Sequence, residues 1–144
     1  MRHTLNGMRK RGSEDRGFTM IELLVVVVII GVLVAIAVPV YLNYRKGAAN
    51  KSAASDVRGA ITAIEQFYTD NANQYPASVT GAGEGDDLAL DAIDGGTAQT
   101  IKVSPGNTLQ FANTTADGVT SYRICGRNTD GEQTYVYDSD EGGS

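Results

Sequence analysis

The run from Leu23 to Leu42 contains no charged side chain. As a helix rising ~1.5 Å per residue it is long enough to cross a hydrocarbon core of ~30 Å. Directly before it stands Glu22, a carboxylate at the edge of the apolar run with no basic residue on its apolar side. An unpaired ionised side chain in hydrocarbon costs on the order of several kcal/mol, less near the interface, so a partner or a function is implied.

Charge divides along the chain. Residues 1–17 hold Arg2, Arg9, Lys10, Arg11 and Arg16 against Glu14 and Asp15, a net +3, which leaves −8 for the rest of a chain whose total is −5. Basic residues before an apolar span place the N-terminus in the cytoplasm and the C-terminal part outside. An acidic outer part repels phosphates, so no direct nucleic-acid site is expected. Cys125 is the one cysteine and His3 the one histidine. An intramolecular disulfide, a CxxC pair, a His-dependent triad and the usual zinc sites are thereby excluded, and Cys125 is expected to be a buried, inert thiol.

The leader differs from a secretory signal, in which small residues follow the apolar core. Here the small residue, Gly17, precedes the core, and Tyr41-Leu42-Asn43-Tyr44-Arg45-Lys46 follows it. Any cut at Gly17 therefore leaves the apolar helix on the product. The stretch Gly17-Phe18-Thr19-Met20-Ile21-Glu22-Leu23-Leu24, with the Val/Ile run, Gly31 and Pro39 after it, resembles the N-terminal signal of type IV pilins and pseudopilins. The match is strong over residues 16–44 and weakens beyond.

The resemblance implies that a prepilin peptidase cuts between Gly17 and Phe18 and that Phe18 is then N-methylated. It implies that Glu22 serves assembly, and that the helix between Gly31 and Pro39 stretches or melts when subunits pack. A simple kink at Pro39 is the alternative, since proline lacks the N–H that would bond the Ala35 carbonyl. In low dielectric a carboxylate favours a nearby amine, and cutting after Gly17 creates one at Phe18, on the same chain or a neighbour.

Beyond Arg45 the pattern turns amphipathic. Ala49, Ala53, Val57, Ala60, Ile61, Ile64, Phe67 and Tyr68 recur at spacings of three and four, with Lys51, Asp56, Arg58, Glu65 and Gln66 between them. Asp70-Asn71-Ala72-Asn73 and Tyr75-Pro76 signal the end of one helix of ~50 residues starting at Phe18. This end, and the C-terminal tail, resemble pilins of Gram-positive and actinobacterial type more weakly. Residues from Ala77 to about Gly96 read as a Gly-, Ala-, Ser- and acid-rich linker. Its cluster Glu84, Asp86, Asp87, Asp91 and Asp94 lacks EF-hand spacing and reads as solvated surface, so no metal and no cofactor is assigned. Strands are expected at Thr97–Val103, Thr108–Thr114, Val119–Cys125 and Gln133–Asp138, separated by turn residues. Ile101, Val103, Leu109, Phe111, Tyr122, Ile124 and Val136 are expected to face the helix.

The predicted fold is α+β, a long N-terminal helix on a small antiparallel sheet of about four strands. Its parts are a cleaved leader (1–17), a transmembrane and assembly helix (18–42), an amphipathic continuation (43–75) and a globular head (76–144). The expected function is a structural subunit of a type IV pilus, with no catalytic residues and no enzyme activity. A type II secretion pseudopilin, a minor pilin and a membrane-anchored binding domain that never polymerises are alternatives. The expected partners are copies of itself, the prepilin peptidase, the pilus assembly platform and ATPase, minor pilins and cytoplasmic membrane lipids. The expected location is the cytoplasmic membrane, then the cell-surface fibre.

Overall fold

The computed structural model describes residues 17–82, 86–117 and 119–142. The leader's basic residues and Glu84 lie outside them. A single helix, α1, runs from Met20 to Asp70, followed by six strands among the described residues: β1 (Val79–Ala82), β2 (Leu88–Leu90), β3 (Gln99–Ile101), β4 (Asn107–Ala116), β5 (Val119–Asn128) and β6 (Thr134–Asp138). The chain is an α+β structure with antiparallel sheets, as its sequence predicts. It divides into two compact units at Val38/Pro39, which are described separately.

In the N-terminal unit every residue from 17 to 38 is exposed in the isolated chain. Helix α1 is unbroken at Gly31 and contains Pro39. It is long and apolar enough to cross a membrane. A helix apolar all round that buries nothing of its own must be covered from outside, by lipid or by other helices.

In the C-terminal unit the helix buries Ala53, Asp56, Val57, Ala60, Ile64 and Phe67. The apolar members of this stripe meet Leu109, Phe111, Tyr122 and Ile124, which alternate along β4 and β5. Strand alternation sends every second side chain to the helix, which the register Phe111↔Ile124 and Asn113↔Tyr122 keeps in step. At the closest crossing β5 carries Gly126, where a Cβ would fall 2.5 Å from Val57 Cγ2.

The main sheet has strand order β1-β4-β5-β6, and β2 and β3 form a separate antiparallel pair. Two expectations are corrected here. The stretch read as a linker supplies β1 and β2, and β3 joins β2 instead of the main sheet. Leu88 and Leu90 project into the core while Ala89 is exposed, a pattern too short to separate from a loop by sequence. Val136 is 44% exposed and does not face the helix. It pairs with Cys125 on the outer face, so Tyr135 and Tyr137 take the inner positions.

Helix α1 ends where Ala72 and Asn73 take φ of 53° and 60°, and the Asn73 N–H returns to the Tyr68 carbonyl at 3.0 Å. Asn71, buried, donates to the Phe67 and Thr97 carbonyls at 2.8 and 2.9 Å and accepts from the Ile93 N–H at 2.8 Å. Asp56 is the larger surprise, because its helical position reads as polar surface and the structure buries it. Its carboxylate accepts from Ser104 N (2.7 Å), Ser104 Oγ (2.9 Å) and Asn107 Nδ2 (2.6 Å). A buried carboxylate is tolerable when its lone pairs are filled in this way. Nearer the membrane-length run, Arg45 pairs with Asp130 at 2.7 Å and Lys46 with Glu132, while Asn50 Oδ1 accepts from the Glu132 and Gln133 N–H groups.

Candidate processing and assembly site

Residues 17–19 precede the helix, and Thr19 is its N-cap. Thr19 Oγ1 accepts from the Glu22 N–H at 3.3 Å. In return Glu22 Oε2 accepts from the Thr19 N–H at 2.9 Å and from the Thr19 hydroxyl at 2.8 Å. This is a reciprocal capping box, in which two N–H groups without helical partners are satisfied by each other's side chains. The carboxylate also lies in the first turn, where the helix dipole favours negative charge. Glu22 therefore has a partner that the sequence reading missed. The legible signal was Thr19-x-x-Glu22 immediately before an apolar run. No basic residue is needed to hold the carboxylate in place before any cleavage.

The two oxygens of Glu22 are unequal. Oε2 takes both bonds from Thr19, and Oε1 has no partner among the described residues. Phe18, Ile21, Glu22, Val25 and Val26 line an open recess of about 390 Å³, so the free oxygen belongs to a side chain set among apolar ones. Once lipid or other helices cover these side chains, a donor reaching it there meets little competing water, which strengthens the bond.

Gly17 and Phe18 stand outside the helix, and Phe18 is 78% exposed. A Cβ at Gly17 would meet nothing within 4 Å, and its φ is not left-handed. The fold of the chain thus places no demand for glycine at this position; any demand comes from a molecule that reads it. The same holds for Gly31, where a Cβ also meets open space. Proline at position 39 lies within the helix, where it removes one i→i−4 hydrogen bond.

Residues 13–38 match the model of the prokaryotic N-terminal methylation motif. Over this N-terminal part the chain is similar to type IV pilins and pseudopilins. It is 36% identical over 76 residues to type II secretion system core protein G of Pectobacterium carotovorum, covering 53% of this chain and 48% of that protein. It is 33% identical over 92 residues to the fimbrial protein of Neisseria meningitidis serogroup A, covering 64% and 52% respectively. A 37% identity over 69 residues relates it to the type IV major pilin protein PilE1 of Neisseria gonorrhoeae, covering 48% and 41%. The chain spans about half the length of the curated relatives it matches.

Elsewhere, among the described residues, the structure does not bring the scattered acidic residues together. Among the described residues no three His, Cys, Asp or Glu side chains converge as a metal site. Asp87 instead pairs with Lys102, which holds its carboxyl below the usual carboxylate range. Cys125 is free and half-buried on the outer sheet face, between exposed Arg123 and Arg127. Full burial was expected, but outward register at Cys125 leaves the thiol partly open.

Proposed function

We propose that the chain is a structural pilin subunit, cut between Gly17 and Phe18, N-methylated at Phe18, and polymerised through its N-terminal helix into a type IV pilus. The observation that carries this reading is the capping box at the mouth of an entirely exposed apolar helix. It holds one carboxylate oxygen and leaves the other open, at a residue four positions beyond Phe18.

Before cleavage the leader (1–17) and the apolar helix (18–42) anchor the subunit in the cytoplasmic membrane in a single pass. The basic leader keeps the N-terminus inside. Cleavage after Gly17 creates a positive amine at Phe18. The open Glu22 oxygen then accepts that amine, from its own chain or from a neighbouring subunit, while Thr19 keeps the first turn of the helix intact. Lateral contacts among the apolar helices replace lipid. The amphipathic continuation (43–75) and the head (76–144) form the outer layer. Gly31 and Pro39 are the points at which the helix yields during packing. The prepilin peptidase, the assembly platform with its ATPase, and minor pilins are the partners this route requires, and no enzyme activity is assigned to the chain.

A type II secretion pseudopilin is the second reading, favoured by the likeness to core protein G. Both share this route and differ in the fibre built, which a neighbouring retraction ATPase or secretin gene would distinguish.

Mass spectrometry of sheared surface fibres tests the proposal. An abundant band with a methylated N-terminus at Phe18 is expected, and recovery of only the full-length chain from membranes would overturn it. Two variants separate the roles of Glu22. Glu22→Gln keeps the reciprocal cap but loses the charge, whereas Glu22→Leu loses both. Each is expected to insert in the membrane and to give far fewer fibres; wild-type fibre levels from either one refute the charge-based role.

A further inference from the structure

Where α1 gives way to the following loop, the side chains of Tyr68, Asn73, Gln74, Tyr75, Asn113, Thr115, Val119 and Thr120 surround an open groove of about 620 Å³. This volume lies within the range of small-ligand sites. We propose that this groove is a binding site for a neutral oligosaccharide. The proposal is independent of whether the chain polymerises.

The chemistry of the lining selects the ligand. No lining residue carries a charge, although the chain beyond residue 17 sums to −8. The groove therefore offers an anion no cation and a cation no carboxylate. Val119 is the one aliphatic side chain in the lining, too little apolar surface for a lipid or an apolar peptide anchor. What remains is a set of neutral donors and acceptors. The phenols of Tyr68 and Tyr75 and the carboxamides of Asn73 and Gln74 have no side-chain hydrogen-bond partner among the described residues. Phenols and carboxamides both donate and accept, as sugar hydroxyls do, so they match such a ligand in either sense.

The aromatic side of the groove is built rigidly. Tyr122, Tyr75 and Tyr68 follow one another with ring centroids 5.1 and 4.5 Å apart, from the core outward. Tyr122 is buried and its hydroxyl is bonded to Glu65 at 2.5 Å, which anchors the inner end. Tyr68 ends the series half-exposed and presents a fixed ring against which the apolar face of a sugar can lie. On the rim, the left-handed backbone at Ala72 and Asn73 turns the chain so that Asn73, Gln74 and Tyr75 follow one another around the opening. Asn113 is fixed from behind, donating to the Pro76 carbonyl at 2.7 Å.

The test uses the full chain in micelles of a detergent without a sugar headgroup. Saturation-transfer NMR and titration are run with cellotriose, maltotriose and triacetylchitotriose. Saturation transfer to at least one of the three is expected. The double variant Asn73→Gly, Gln74→Ala is expected to weaken that binding at least tenfold, because glycine keeps the left-handed turn while both amides are lost. Tyr68→Ala should abolish it and Tyr68→Phe, which keeps the ring and loses one hydroxyl, should weaken it only in part, with unchanged far-ultraviolet circular dichroism as the check on folding. No transfer to any of the three probes overturns the proposal. So does unchanged affinity in the double variant, which remains decisive if Tyr68→Ala fails to fold.

Discussion

Asp56 offers the sharpest test of how the head is held together, because two replacements at this one position give losses of clearly different size. In Asp56→Ala three donors lose their acceptor: Asn107 Nδ2, Ser104 N and Ser104 Oγ. Asn107 is buried and its Nδ2 keeps only the bond to Ser52 Oγ at 3.0 Å, while half-buried Ser104 regains some water. Leaving a buried donor unpaired costs about 1–3 kcal/mol, and a part-buried one less, so the loss sums to about 2–4 kcal/mol. In Asp56→Asn the amide oxygen can stay at the position of Oδ2, still accepting from Ser104 N and Asn107. The new NH2 then faces the Ser104 hydroxyl, which rotates to accept. Only charge assistance is lost, about 1 kcal/mol. For a domain of this size 1 kcal/mol corresponds to roughly 4–8 °C in melting temperature. Thermal melts of the full chain in micelles, followed by tyrosine near-ultraviolet circular dichroism, should show a drop of roughly 8–32 °C for alanine and of roughly 4–8 °C for asparagine, the former two- to fourfold larger. Equal drops for the two variants would refute the hydrogen-bond accounting.

Gly126→Ala puts a methyl 2.5 Å from Val57 Cγ2 and should destabilise the head by about 1–3 kcal/mol. Adding Val57→Ala should recover part of that loss, with a coupling of about 1 kcal/mol in a double-mutant cycle; simple additivity would show that the two do not touch. Burial first, and then the bond to Glu65, push the Tyr122 hydroxyl well above the ordinary tyrosine range. Its contribution to stability is therefore complete below about pH 10 and is lost as pH rises beyond that. Tyr122→Phe should flatten the alkaline fall in melting temperature, leaving the smaller part due to Tyr75, which is raised for the same reason. Thr19→Val removes the hydroxyl of the capping box and should weaken the helix start by about 1 kcal/mol, read as faster amide exchange at residues 20–22; unchanged exchange would remove Thr19 from that role.

Much of the architecture is legible without coordinates because it rests on periodicity. The three-and-four spacing from Ala53 to Phe67 names the helix face that the structure buries. Alternation along Leu109, Phe111, Tyr122 and Ile124 names the sheet face against it. Short or isolated features were not legible. Leu88 and Leu90 give one period of alternation inside an acid- and glycine-rich stretch, too little to mark a strand. Asp56 reads as surface because nothing local announces Ser104 and Asn107, which lie 48 and 51 positions away.

The N-terminal stretch shows where the division falls. Sequence alone determines that residues 23–42 must be covered by something apolar, and that Gly17 and Glu22 stand at its entrance, because these follow from side-chain chemistry and helix length. It also contains the Thr19-x-x-Glu22 spacing. The folded chain decides that this spacing closes into a cap with one carboxylate oxygen left open. In the head, only tertiary structure gathers Tyr68, Tyr75, Asn113 and Thr120 around one groove. Local chemistry depends on neighbours in sequence; a binding surface depends on residues that meet only when the strands have paired and the helix has packed.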